Sequence, residues 1–116
     1  MRNFVYIILL LALLTGCEKS VTFLQDRGGV KYEKNTEEPF TGKYVKLYQD
    51  GQKKLEEHYN KGKKEGLWTS WKTDGTKEFQ LHFKDGKKDG LWTQWDEDGN
   101  ISETRTYKNG ELVVTE

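Results

Sequence analysis

Apolar and polar residues alternate with period two along much of the second half of the chain. Phe79, Leu81 and Phe83 alternate with Glu78, Gln80 and His82. That period marks a half-buried strand, since successive side chains on a strand point to opposite faces. A second strand is expected before it, from Leu67 to about Lys72, and between the two stands Asp74-Gly75. Asp-Gly is a two-residue hairpin signal, because glycine takes φ > 0 without steric cost. The same pattern recurs every 24 residues without insertion. Gly42, Gly66 and Gly90 open the units, and the turn pairs are Asp50-Gly51, Asp74-Gly75 and Asp98-Gly99. Gly62, Gly86 and Gly110 close them, with Tyr44/Trp68/Trp92 and Tyr59/Phe83/Tyr107 at fixed places between. A fixed period means that each unit buries its apolar surface only against its neighbours.

The fold class expected is therefore all-β: an elongated single antiparallel sheet of tandem β-hairpin repeats. Three repeats cover residues 42–65, 66–89 and 90–113, with a short tail at 114–116. Residues 24–41, with Gly28-Gly29, Val30-Lys31-Tyr32 and the single proline Pro39, read as a divergent N-terminal cap. Terminal units of arrays are atypical because one side meets solvent. Trp68 and Trp71 stand three apart, as do Trp92 and Trp95. Either the strand bulges or aromatics occupy both faces.

The N-terminus follows a different logic. Met1-Arg2-Asn3 precedes an unbroken apolar run from Phe4 to Leu14. The run is shorter than the roughly 20 residues a bilayer span needs and has the length of a signal-peptide core. Leu14-Thr15-Gly16-Cys17 resembles the lipobox of bacterial lipoproteins. The resemblance implies a signal peptide over 1–16, a lipidated Cys17 as mature N-terminus, a tether over 17–23 and stable membrane attachment through several acyl chains. Glu18 is not the aspartate that favours inner-membrane retention in enterobacteria, so the outer membrane, facing the periplasm, is expected where a cell has two. A lone cysteine excludes an intrachain disulfide framework.

Composition adds two exclusions. Hydrophobic residues make up 34% and charged residues 33%, yet aromatics reach 13%; disordered chains are poor in aromatics and lack such a period. The formal net charge is zero, and no basic stripe offsets phosphate repulsion, so no nucleic-acid partner is expected.

The motif Gly-x-Trp-x-x-Trp-x-x-Asp-Gly, followed by an aromatic and by Lys-Asp-Gly-Lys, resembles the MORN-type repeat, in the version of the YwqK family of antitoxin-like repeat proteins. The matching positions are Gly66, Trp68, Trp71, Asp74, Gly75, Phe83 and Gly86 with their counterparts 24 residues away. The first unit departs at Leu47-Tyr48 and the third at Glu103, where the others have Leu55 and Phe79. This resemblance implies a hairpin array and, through the family's naming, a role in neutralising a toxin by binding it.

Candidate chemistry is sparse. His58 and His82 are equivalent by repeat, and no third ligand recurs beside them; a zinc ion needs three or four close donors. Asp50, Asp74 and Asp98 occupy the turn place that favours aspartate for backbone reasons, and the glycines fall at turn spacing rather than in a phosphate-cradling motif. No cofactor and no catalysis are expected. The aromatic stripe remains: Trp68, Trp71, Trp92 and Trp95 with Tyr44 and Tyr48. Its first explanation is cross-strand packing; its second is a docking surface, since Trp and Tyr are favoured anchors there. The expectation is a non-catalytic, lipid-anchored module that binds a protein partner at the bacterial envelope. The alternatives are an antitoxin or immunity protein that occludes a toxin, and lipid or glycan binding by the aromatic face.

Overall fold

The computed structural model describes residues 18–113. The leader, Cys17 and residues 114–116 lie outside them. Twelve strands follow one another: β1 Ser20–Val21, β2 Gln25–Arg27, β3 Val30–Tyr32, β4 Gly42–Leu47, β5 Lys53–Asn60, β6 Lys63–Lys64, β7 Gly66–Trp71, β8 Lys77–Lys84, β9 Lys87–Lys88, β10 Gly90–Trp95, β11 Ile101–Lys108 and β12 Glu111–Val113. The three repeats form the hairpins β4–β5, β7–β8 and β10–β11, side by side in one sheet in the order β1-β4-β5-β7-β8-β10-β11-β12. The molecule extends 57 × 39 × 34 Å with a radius of gyration of 17.3 Å, against about 13 Å for a compact domain of 100 residues. The all-β array of 24-residue hairpins thus matches the expectation from sequence.

The N-terminal side differs from it in two ways. The sheet is mixed, because β1 runs parallel to β4, with Ser20 beside Lys43 and Val21 beside Tyr44. The segment after Cys17, expected as a tether, therefore joins the sheet. Glu18 reaches His58 Nδ1 at 2.8 Å, and the Lys19 carbonyl accepts the Lys43 N–H at 2.7 Å. Second, β2 and β3 form a separate hairpin. It docks through the Lys31 N–H, which donates to the Gly62 carbonyl at 2.9 Å.

The turn chemistry is exchanged relative to expectation. The Asp-Gly sites are not two-residue turns. Gly75 donates its N–H to the Lys72 carbonyl at 3.0 Å, and the Lys72 N–H donates to the Thr76 carbonyl at 2.8 Å. Only the glycine has positive φ, +90°. This is a three-residue loop, a type I turn closed by a glycine bulge. The two-residue turns lie instead between the hairpins, at Lys61-Gly62, Asp85-Gly86 and Asn109-Gly110, where both residues have positive φ. The first residues there are Lys, Asp and Asn, of which only the last two are ordinary left-handed formers.

Those inter-hairpin turns stack. Gly62 donates its N–H to Phe40, Gly86 to Lys64 and Gly110 to Lys88, at 2.7, 2.9 and 2.8 Å. Beside each, a side-chain oxygen from the preceding unit accepts the N–H of residue 61, 85 or 109: Thr41 at 2.9 Å, Glu65 at 2.7 Å and Asp89 at 3.4 Å. Neighbouring units are thus joined by a staircase of turns as well as by the strand ladder. The core is small, with Phe40, Val45, Tyr59 and Leu81 as its buried hydrophobic residues.

Candidate functional site

The register explains the paired tryptophans. In each hairpin one extra residue sits on the return strand, where Ser70 pairs with Phe79 but Trp71 with Lys77. The same shift occurs beside Leu47 and beside Trp95. Strand β7 itself stays regular, so Trp68 and Trp71 face opposite sides of the sheet. Of the two possibilities left open by the three-residue spacing, the second holds: the strand that carries the tryptophans does not bulge. The bulge lies on the return strand, and both faces carry aromatics.

One face is the packed one. Trp68 meets Phe83 edge-on at 6.2 Å, and Trp92 stacks on Phe79 of the preceding hairpin at 5.7 Å. Leu81, directly opposite Trp68, is 1% exposed. Phe40 closes the end of this face on Tyr59 at 6.2 Å. Tyr59 donates its hydroxyl to Glu57, itself only 7% exposed. Burial, with the Glu57 carboxylate as second cause, pushes the Tyr59 phenol well above its ordinary 10.0. Tyr44 lies beside Glu57 on this face.

The other face carries the remaining aromatics as a ridge. Leu47 pairs with Lys53, Trp71 with Lys77 and Trp95 with Ile101, all at one repeat position. Each tryptophan is half-buried and covered by a lysine of the preceding return strand. Lys53 Nζ lies 5.7 Å from the Trp71 ring and Lys77 Nζ 5.6 Å from the Trp95 ring. Tyr48 spans two units, donating its hydroxyl to the Trp71 carbonyl at 2.7 Å. Cations over rings are a general feature of this sheet. Eight occur among the described residues, where one per 70–80 residues is usual. Lysine and arginine stems thereby shield apolar ring surface that a single sheet cannot bury.

Polar candidates resolve into local roles. Asp50 Oδ1 accepts the Gln52 N–H at 2.9 Å. Asp74 Oδ1 accepts both the hydroxyl and the N–H of Thr76, at 2.6 and 2.9 Å, and these bonds hold its carboxyl below the usual 3.8. In the third unit the accepting group is Asp96, not Asp98: Asp96 Oδ1 takes the N–H groups of Asp98 and Asn100 at 3.0 and 2.9 Å. His58 sits between Glu18 and Glu56, the latter 3.7 Å from Nε2. Burial pushes Glu56 up, but the bond from Lys53 and the charges of Lys53, Lys43 and His58 outweigh it, and its carboxyl lies below 4.5. His82 is exposed. Among the described residues no three His, Cys, Asp or Glu side chains come together as a metal site. Cys17 lies outside the described residues.

Sequence reasoning missed the lysines at positions 53, 64, 77 and 88, which lie over aromatic rings. Their 24-residue recurrence, Lys53/Lys77 and Lys64/Lys88, was the signal that could have found them.

The geometry defines a repeat module of stacked β-hairpins with one packed face and one ridged face. Residues 88–109, the greater part of the third unit, match the family described as MORN repeat variant. The repeats are thus of the MORN type. No curated protein and no solved structure gave a significant match.

Proposed function

We propose that the chain is a non-catalytic repeat module that binds a protein partner, held at the bacterial envelope by a lipid on Cys17. The observation that carries the binding reading is the ridge of Leu47, Trp71 and Trp95. Packing accounts for Trp68 and Trp92, which are wedged against Phe83 and Phe79. It does not account for Trp71 and Trp95, which neither pack against another ring nor support a second layer, and which carry a lysine each. Aromatic anchors beside lysine cations suit a partner surface that is apolar at its centre and acidic at its rim. The anchor rests on the sequence Leu14-Thr15-Gly16-Cys17. It is supported by the way residue 18 leads directly into the sheet edge through His58 and β1.

The test is co-purification of the full chain from detergent-solubilised native membranes. One protein should be retained in stoichiometric amount and lost on Trp71→Ala with Trp95→Ala, at unchanged secondary structure. Retention by the double variant would remove the ridge as the site. An immunity role follows if the retained protein is toxic when expressed without this chain.

A further inference from the structure

The first repeat departs from the second on the packed face. In the second unit that face is filled by Trp68, Phe79, Leu81 and Phe83, with Leu81 1% exposed. The same places in the first unit hold Tyr44, Leu55, Glu57 and Tyr59. Each of these is smaller or more polar than its counterpart. Lys46 stands where the second unit has Ser70. The strand register sets Tyr44 opposite Glu57 and Lys46 opposite Leu55. Lys46 and Glu57 are thus diagonal neighbours on one face, about 7–8 Å apart.

The exchange leaves room. A cavity of about 260 Å³ lies over this square of residues, and Leu24 and Lys31 of the cap and Lys64 of β6 complete its wall. The cap is fixed there, because the Lys31 N–H bonds to the Gly62 carbonyl and Val30 lies against Gly62. The cavity is therefore pre-formed. It is smaller than the roughly 300–1,000 Å³ of sites for drug-sized ligands, and suits a small metabolite.

Glu57 shows what is missing from it. Its side chain is 10% exposed, and it occupies the place of the buried Leu81. The Tyr59 hydroxyl donates to Oε2. Oε1 lies 3.8 Å from Lys64 Nζ, beyond hydrogen-bond distance. Among the described residues no other donor bonds this carboxylate. A carboxylate offers about four acceptor sites, and buried polar groups are normally bonded. Oε1 is short of a donor.

The lysines set the charge of the ligand. Lys31 Nζ is held by Asp26 at 2.8 Å, and Lys64 offsets Glu57. Lys46 is exposed and forms no ion pair among the described residues. One positive charge is left over at the cavity.

We propose that this cavity binds a small hydroxycarboxylate. Its carboxylate pairs with Lys46, its hydroxyl donates to Glu57 Oε1, and its aliphatic part lies against Leu24 and Leu55. An ammonium group in place of the hydroxyl would cancel the negative charge that Lys46 calls for. The site is on the face opposite the ridge and does not rest on the partner-binding reading.

The experiment is calorimetric titration of the full chain in detergent micelles with racemic leucic acid, the hydroxy analogue of leucine. Parallel titrations use isocaproate, which lacks the hydroxyl, and leucine, which carries ammonium in its place. Leucic acid should bind at one site per chain. Isocaproate should bind about ten-fold more weakly or worse, since a hydrogen bond to a charged group is lost, and leucine should also be weaker. Lys46→Ala, at an exposed position, should weaken leucic acid by a similar factor. Glu57→Leu with Tyr59→Phe installs the pair that the second repeat carries. It should keep the fold, read by circular dichroism, and reduce leucic acid to the level of isocaproate. No saturable binding at millimolar concentration overturns the proposal. So does equal binding of isocaproate, tighter binding of leucine, or indifference to Lys46→Ala or to the folded double variant. Should the double variant fail to fold, the ligand series and Lys46→Ala decide it.

Discussion

Gly86 donates its backbone N–H to the carbonyl of Lys64 at 2.9 Å, and the same bond recurs from Gly62 to Phe40 and from Gly110 to Lys88. These glycines are therefore held by position as well as by φ. At Gly62 a Cβ would overlap the Val30 methyl group and lie 3.0 Å from the Lys31 carbonyl oxygen, at φ +83°. At Gly51, φ +89°, a Cβ meets nothing within 4 Å. Gly51→Ala should cost only the left-handed strain, about 1–2 kcal/mol. Gly62→Ala should cost at least about 1 kcal/mol more through overpacking against the cap hairpin. Urea denaturation of the two variants measures the difference, and equal losses would mean that the cap hairpin is not docked at Gly62.

Leu81 and Leu91 lie on neighbouring hairpins with opposite surroundings. Leu81 is 1% exposed and Leu91 49%. Leu81→Ala should lose about 2–5 kcal/mol, while Leu91→Ala should stay within about 0.5 kcal/mol of the parent. The same denaturation series decides it.

Alkaline pH should unfold the packed face through Tyr59. Its phenol is raised above 10.0 by burial and by Glu57. A raised folded value means that its contribution is complete below the unfolded value of 10.0 and is lost progressively as pH climbs beyond it. Tyr59→Phe should flatten the stability profile above pH 10. At neutral pH it should cost about 1–3 kcal/mol, because Glu57 loses its hydrogen-bond donor. A variant with an unchanged alkaline limb would contradict this.

Acid acts at the turns with the opposite sign. Asp74 is held below 3.8 by its bonds from Thr76, and Asp26 by Lys31 and the Gly29 N–H. Each contributes fully above its unfolded value near 3.8, and the contribution fades as pH falls below that. Asp74→Asn should therefore reduce the slope of stability against pH below about pH 4 and leave the profile above pH 6 parallel to the parent. Thermal unfolding across that range reads it directly.

The hairpin array was legible because period and alternation are local to the sequence. What one unit does is repeated by the next, so Trp68, Phe83 and Leu81 could be placed in strands from their spacing alone. The exchange of turn types was not legible. Asp74-Gly75 and Asp85-Gly86 carry the same dipeptide, and which becomes the three-residue loop depends on the register of the flanking strands. The parallel strand β1 was hidden as well, since Ser20 and Val21 have no alternation to mark them and pair only with the distant β4. For the candidate site, the six aromatics were found but not their division. Spacing alone could not separate Trp71 and Trp95 on the ridge from Trp68 and Trp92 in the packed face. The bulge that leaves β7 regular while β8 gains a residue is a property of the pair.

The binding account is tested most directly in the native membrane. A photo-crosslinking residue placed at Lys77, over Trp95, should yield one discrete adduct with another protein. The same residue at Gln49, in an exposed hairpin loop, should yield none. No adduct from Lys77, or equal and diffuse adducts from both positions, would contradict a partner seated on the ridge.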